Sequence, residues 1–109
     1  MENNKSFFNI NRQAYTKIMS KNLPVLRAKN ALSQTELAEM IGVTRQTISC
    51  VERGTKDLSW THFISLLFVF TRDDSTFALL RALDIYTDEL ADTFKVVDLG
   101  KLKKNNEIE

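Results

Sequence analysis

The stretch 33–54, which reads SQTELAEMIGVTRQTISCVERG, constrains the fold of this chain more than any other. Ser33 and Glu36 form an S-x-x-E capping box, in which the hydroxyl and the carboxylate each accept a hydrogen bond from a free helix amide. Gly42 then supplies the left-handed backbone on which helices commonly end. Between these signals lies an apolar stripe at helical spacing, made of Leu37, Ala38 and Ile41. The pattern predicts a short amphipathic helix.

A second amphipathic helix follows after a turn of three residues that begins with this glycine. Val43 is an apolar anchor in the turn, and Thr44 is suited to cap the next helix. Ile48 and Val51 face inward at helical spacing, and Gly54 ends the helix. Two short helices joined by such a turn form a helix-turn-helix, whose second helix lies in the DNA major groove.

The outward face of the second helix carries side chains suited to base edges. Arg45, Gln46, Ser49 and Arg53 lie at i, i+1, i+4 and i+8, so they share one side of the helix. Arginine pairs bidentately with guanine, glutamine pairs with adenine, and serine accommodates either base edge. A solvated surface helix would more often show Glu and Lys pairs here. We therefore predict that Arg45, Gln46 and Ser49 read bases.

Residues 22–70, about 45% of the chain, resemble the helix-turn-helix domain of the Xre/Cro/phage-repressor family. The resemblance implies a lambda-repressor-like fold and phosphate contacts by Gln34, Thr47 and Lys56; Arg53 is a further phosphate candidate. It also implies that Glu52 ties the end of the reading helix to the first helix through Arg27. The matching residues are Asn22-Leu23, Leu26-Arg27, Leu32-Ser33-Gln34, Leu37-Ala38, Ile41-Gly42-Val43, Thr44-Arg45-Gln46-Thr47-Ile48-Ser49 and Val51-Glu52-Arg53-Gly54.

Position 50 departs from the family pattern. Proteins of this type often carry a basic or small polar residue there, whereas this chain has Cys50. No phosphate contact is therefore predicted at this position.

Composition favours an all-α protein of five or six helices. Apolar residues make up 43% of the chain, and one proline with three glycines argues against a turn-rich β architecture. A single cysteine excludes an internal disulfide framework and fits a reducing compartment. The polar start of the sequence does not resemble a signal peptide, and the longest apolar run, 63–70, is too short to span a membrane. We expect a cytoplasmic protein.

Charge is unevenly distributed along the sequence. The net charge is only +1, but residues 1–60 carry nine Lys or Arg against five Asp or Glu, whereas residues 61–109 carry six against nine. The positive half contains the predicted helix-turn-helix, as attraction to phosphate requires. The field is modest, so we expect few phosphate contacts in each protomer.

The sequence divides into four parts. Residues 1–21 form an N-terminal arm or short helix, 22–70 the helix-turn-helix domain, 71–99 a helical extension and 100–109 a charged, disordered tail. Asn22 is expected to cap a new helix with Pro24 in its first turn, where the missing amide does no harm. Ser59 is suited to cap one further helix, and Asp73, Asp74 and Ser75 to cap another. The segment 95–99 is compatible with a brief strand.

The two helices after the motif carry more apolar residues than one core face needs. The segment 60–70 leaves almost no polar face, and 77–83 is similarly apolar. A homodimer interface would cover this excess and would place two reading helices about 34 Å apart, on a palindromic site. Alternatively, residues 85–99 fold back and cover it.

These patterns favour a dimeric, repressor-like, sequence-specific DNA-binding transcription regulator. The alternative is an antitoxin or adaptor whose apolar surface on the two later helices binds a protein partner. The sequence has no Gly-rich phosphate loop, no metal-ligand set and no nucleophile beside a base, so we expect no enzyme activity, cofactor or metal.

Overall fold

Helices account for the regular structure between residues 10 and 94, the part of the chain that the computed structural model describes. Six α-helices and no strand occur in this range, as the all-α prediction required. The predicted strand at 95–99 and tail at 100–109 lie outside the described residues, as do residues 1–9 of the predicted arm. The helices are α1 (Arg12–Lys29), α2 (Gln34–Ile41), α3 (Arg45–Arg53), α4 (Trp60–Phe70), α5 (Asp74–Ala82) and α6 (Asp88–Thr93).

The chain forms two units, and residues 11–86 make up the one that contains α1–α5. The described part of the other unit consists of Ile10 and the segment 87–94. In that segment the Thr87 hydroxyl caps α6 by accepting a hydrogen bond from the amide of Leu90 at 3.1 Å.

The first helix corrects a sequence prediction. No helix begins at Asn22, because α1 runs without interruption through Asn22 and Pro24. The Asn22 side chain does not cap a helix but donates to the carbonyl of Ile18, one turn back, at 2.9 Å. An apolar stripe at i, i+4, i+8 and i+11 continues across the proline and is buried, which favours one helix over two. The stripe consists of Tyr15, Met19, Leu23 and Leu26.

The caps predicted for α2, α3, α4 and α5 are confirmed, and the cap of α5 is Asp73. Ser33 accepts from the Glu36 amide at 3.0 Å, while the Glu36 carboxylate accepts from the Ser33 amide at 2.8 Å, which completes the capping box. Thr44, Ser59 and Asp73 cap α3, α4 and α5 through their side-chain oxygens. Local sequence signals therefore define where these four helices begin.

The fourth helix lies at the centre of the helical unit. It contacts α1, α2 and α5, which explains why its sequence has almost no polar face. The described chain itself thus covers most of the apolar excess noted in the sequence. Phe68 is the exception, with 73% of its surface exposed. The buried residues of α4 are Phe63, Leu66, Leu67, Val69 and Phe70.

Part of the excess on α5 is covered by the residues that follow it. Phe77 meets Tyr86 edge to face, with ring centroids 5.1 Å apart. Ile85 is fully buried, and its amide donates to the carbonyl of Leu80 at 2.9 Å. The beginning of the predicted fold-back therefore packs on α5; what residues 95–99 contribute lies outside the described residues.

Candidate nucleic-acid interface

The turn between α2 and α3 fixes the relation of the two motif helices. Gly42 adopts a left-handed backbone with φ of +79°, a conformation that costs other residues energy. The amide of Val43 donates back to the carbonyl of Ala38 at 2.9 Å, which satisfies one of the last carbonyls of α2. Inward-facing residues of both helices are buried: Leu37 and Ala38 of α2, Ile48 and Val51 of α3.

The predicted reading side chains lie on the outer surface of α3. Arg45, Gln46 and Arg53 are exposed, and Ser49 is half-buried. The side chains of Gln46 and Ser49 make no hydrogen bond within the described part of the chain. Their polar atoms are therefore available for a ligand. Side chains of this kind on one helix face can contact base edges in a major groove.

A chain of side-chain contacts links the reading face to the interior. The guanidinium of Arg27 binds the Glu52 carboxylate through two hydrogen bonds, of 2.6 and 3.1 Å. One oxygen of Glu52 also accepts from the Gln34 amide at 2.9 Å. The oxygen of the Gln34 amide in turn accepts from Arg45 at 3.1 Å. The first predicted base reader is thus connected to a largely buried ion pair.

The ion pair of Arg27 and Glu52, which anchors this series of contacts, is largely buried. The side chains of Arg27 and Glu52 are only 18% and 8% exposed. The hydrogen bond to Glu52 raises the pKa of Arg27, burial opposes this shift, and the negative charge of Glu52 adds to it. Arg27 also donates to the carbonyl of Leu32 at 3.0 Å, just before α2. The ion pair therefore joins α1, the start of α2 and the end of α3, as the sequence resemblance implied for Arg27 and Glu52.

The structure gives Gln34 a more definite environment than the sequence did. We expected its side chain to hold a phosphate at the start of α2. Both ends of its amide are instead engaged by protein, one by Glu52 and the other by Arg45. This arrangement restrains the guanidinium of Arg45 while leaving most of its five N–H donors free. The phosphate contact of Gln34 remains a prediction.

The other predicted phosphate contacts occupy three different environments. The Thr47 hydroxyl lies 3.0 Å from that of Thr44, next to the amide that Thr44 caps. Arg53 is exposed and donates weakly to the sulfur of Cys50 at 3.5 Å. Lys56 is exposed in the loop after α3 and makes no ion pair among the described residues. The side chains of Lys56 and Arg53 are thus more accessible than that of Thr47. All three phosphate contacts remain predictions.

One cationic surface was not recognised from the sequence. A groove of about 530 Å³ lies between the first half of α1 and the segment after α3, and we call it the α1 groove. Sequence reasoning assigned α1 too short a length, so Lys17 and Lys21 were not connected with Lys56. The useful signal was their i, i+4 spacing, which places both lysines on one side of a helix. The charged residues lining the groove are Arg12, Lys17, Lys21, Lys56 and Asp57.

The described residues provide neither a metal site nor a membrane span. No group of three or more His, Cys, Asp or Glu between residues 10 and 94 is arranged to hold a metal ion. No helix in the same range is both long and apolar enough to cross a membrane.

Comparison with known proteins agrees with this geometry. Residues 26–66 match the family model described as Helix-turn-helix, a segment that contains α2, α3 and the first part of α4. This segment of the chain is therefore similar to the helix-turn-helix domains found in DNA-binding transcription regulators. No curated protein and no solved structure shows a significant match to the chain.

Proposed function

We propose that this protein is a sequence-specific transcription regulator that reads the DNA major groove with α3. The observation that carries the proposal is the Arg45 side chain, which is exposed on the first turn of α3 and restrained by Gln34. A restrained guanidinium loses less side-chain entropy on binding than a free one, which favours a defined contact. Arg45 would pair with a guanine, while Gln46 and Ser49 would contact neighbouring base edges.

The proposed role is binding and occupation of a promoter, not catalysis. A repressor-like protein blocks transcription when it occupies such a site, and its contacts divide into two kinds. Phosphate contacts by Gln34, Thr47, Arg53 and Lys56 would position the domain, whereas the base contacts would choose the site. No cofactor is needed for either kind of contact. The proposal places the protein in the cytoplasm of a bacterial host, where its DNA is accessible.

We also propose that the protein binds a palindromic operator as a homodimer. Two-fold dimers of helix-turn-helix proteins place their recognition helices about 34 Å apart, one turn of DNA. The positive surplus in residues 1–60 is small, so two domains on one site would supply the affinity that one domain lacks.

Selection from a random DNA pool at about 150 mM salt tests this function. Wild-type protein should recover an inverted repeat whose half-sites lie about 10 base pairs apart, centre to centre. A recovered single half-site would support base reading but contradict the two-fold dimer. Recovery of DNA with no sequence enrichment would contradict specific recognition altogether.

A second candidate function is that of an antitoxin or adaptor that binds a protein partner. Phe68 of α4 is 73% exposed and Met40 of α2 is 43% exposed, and both line one shallow depression with Arg72. Exposed apolar patches of this kind often mark protein interaction sites. Phe68→Ser should leave binding to a single half-site unchanged in either case, since Phe68 lies on α4 and not on the reading face. If the adaptor function holds, it should abolish co-purification of the partner.

A further inference from the structure

The α1 groove gathers positive charge outside the reading face. Arg12, Lys17 and Lys21 line it from α1, and Lys56 lines it from the segment after α3. Asp57 is the one acidic residue among those that line it. Four cations therefore surround a concave surface with a single opposing charge.

The cations of the groove are not neutralised by the described protein. Lys17, Lys21 and Lys56 are exposed, and no carboxylate lies within 4.0 Å of them between residues 10 and 94. Lys17 and Lys21 also lie at i, i+4 on α1, where two like charges repel each other and destabilise the helix. An anionic ligand would relieve this repulsion.

Trp60 gives the groove an ordered edge but no free stacking platform. The guanidinium of Arg12 lies 5.3 Å from the centroid of the Trp60 ring, within the range of a cation–π contact. The same ring stacks on Phe63 at 4.8 Å with an interplanar angle of 14°. Because the ring already has these neighbours, a nucleotide base would have to displace one of them in order to stack. The groove is therefore better suited to phosphate groups than to bases.

The groove begins where the reading helix ends. Val51 lies in the last turn of α3 and Gly54 caps it, and both residues line the groove. The nine residues of α3 span roughly 13 Å, close to the width of about 12 Å of the DNA major groove. A sugar-phosphate backbone that borders the major groove would therefore pass near the end of α3, where Lys56 lies.

We propose that the α1 groove holds the sugar-phosphate backbone of duplex DNA that flanks the bases read by α3. Lys17, Lys21 and Lys56 donate to successive phosphates, and Arg12 is held in place by Trp60. The inference rests on the proposed DNA-reading function and extends the contact surface from the helix-turn-helix onto α1. The extended contact raises affinity for all sequences equally, because phosphates carry no base information.

The test compares the double variant Lys17→Ala/Lys21→Ala with wild type on two duplexes. One duplex carries the selected site with about ten additional base pairs on each side, and the other is trimmed to the site itself. The matched control is Lys29→Ala/Arg72→Ala. It also removes two positive charges, but from exposed positions that do not line the groove. Dissociation constants are measured over a series of salt concentrations, and Arg45→Ala is included as the reading-face variant.

On the long duplex, the groove variant should reduce the slope of log K against log salt by nearly two for each bound protomer. Trimming the flanks should weaken wild type and the control more than the groove variant, because the variant has already lost the flank contacts of Lys17 and Lys21. Equal slopes for the groove variant and wild type on the long duplex would overturn the inference. The inference would also be overturned if trimming the flanks weakened binding equally for all of the proteins.

The design separates this inference from the function on which it rests. Site-specific binding that depends on Arg45 but ignores the groove substitutions would overturn the groove and leave the reading function standing. Absence of any duplex binding by wild type would overturn both. All four substituted side chains are exposed, so we expect both double variants to melt close to the temperature of wild type. Such melting temperatures would show that each double variant is folded.

Discussion

Glu52 is the residue on which the geometry of the motif most depends. It accepts hydrogen bonds from Arg27 and Gln34, which belong to α1 and α2, and Gln34 holds Arg45. One carboxylate thus connects the three helices that present the reading face. The sequence resemblance predicted its pairing with Arg27, because both positions match the family pattern. It did not predict the link through Gln34 to the reading face, which depends on side-chain conformations.

Glu52→Gln should destabilise the protein by about 2–3 kcal/mol. The substitution leaves the largely buried guanidinium of Arg27 without a charged partner, and breaking one side of such a pair is costly. Urea unfolding followed by circular dichroism measures the loss. Glu39→Gln, on the exposed side of α2, is the matched control and should change stability by less than about 0.5 kcal/mol. A loss equal to that of the control would contradict the central role of Glu52.

At the scale of single helices, local signals predicted the beginnings of α2 to α5 well. Each of them has a side-chain cap, and a cap depends only on residues within one turn. The same reasoning failed in α1, where Asn22 and Pro24 resembled a helix start. The buried stripe from Tyr15 to Leu26 shows that burial in the core outweighed the local preference. The α1 groove was missed for a related reason, because its two sides are distant in sequence.

Pro24 leaves a weakness in α1 that can be measured. A proline within a helix removes one backbone hydrogen bond and crowds the preceding turn. Pro24 is exposed, so Pro24→Ala should raise the free energy of unfolding by about 1–3 kcal/mol without disturbing the core. Val25→Ala at the adjacent exposed position controls for general effects on helix propensity. A decrease in stability for Pro24→Ala would show that the fold requires proline at this position.

The caps of α2 and α5 also make the stability of the protein depend on pH in the acidic range. Hydrogen bonds from the backbone and side chain of Ser33 lower the pKa of Glu36 below 4.5, and those from Ser75 lower the pKa of Asp73 below 3.8. Because the folded pKa is the lower one, each carboxylate stabilises the fold above its unfolded pKa. This stabilisation is lost as the pH falls through the folded pKa.

Glu36→Gln separates titration from capping. Glutamine also serves in a capping box, so the hydrogen bond to Ser33 can persist while the proton equilibrium disappears. Melting temperatures between pH 6 and 3 should therefore fall less steeply for the variant than for wild type. A pH dependence identical to that of wild type would show that Glu36 contributes nothing to acid sensitivity.

In the whole molecule, the two features proposed to bind DNA belong to the positively charged half of the sequence. The positive half of the sequence contains both the reading face and the α1 groove, and the negative half begins within α4. The uneven distribution of charge was evident from the sequence, whereas the groove could be recognised only in the folded structure. Most of the apolar excess that first indicated a dimer is buried within the described chain, which leaves Phe68 as its main exposed remainder.

Lys56→Ala tests the electrostatic part of DNA binding. The substitution should weaken binding to cognate and random duplexes alike and should lower the salt slope by about one per protomer. Dissociation constants measured from about 50 to 200 mM salt give this slope, and Lys29→Ala controls for the loss of one charge. An effect confined to the cognate duplex would instead assign Lys56 to base recognition.

Base reading by α3 can be tested by measuring binding to single-base-pair variants of the selected site. Wild type and Arg45→Ala are each measured on every substitution of the half-site. Arg45→Ala should cost about 1–3 kcal/mol on the cognate site and lose discrimination at one base pair only. Equal losses on cognate and random DNA, with every preference retained, would contradict base reading by Arg45.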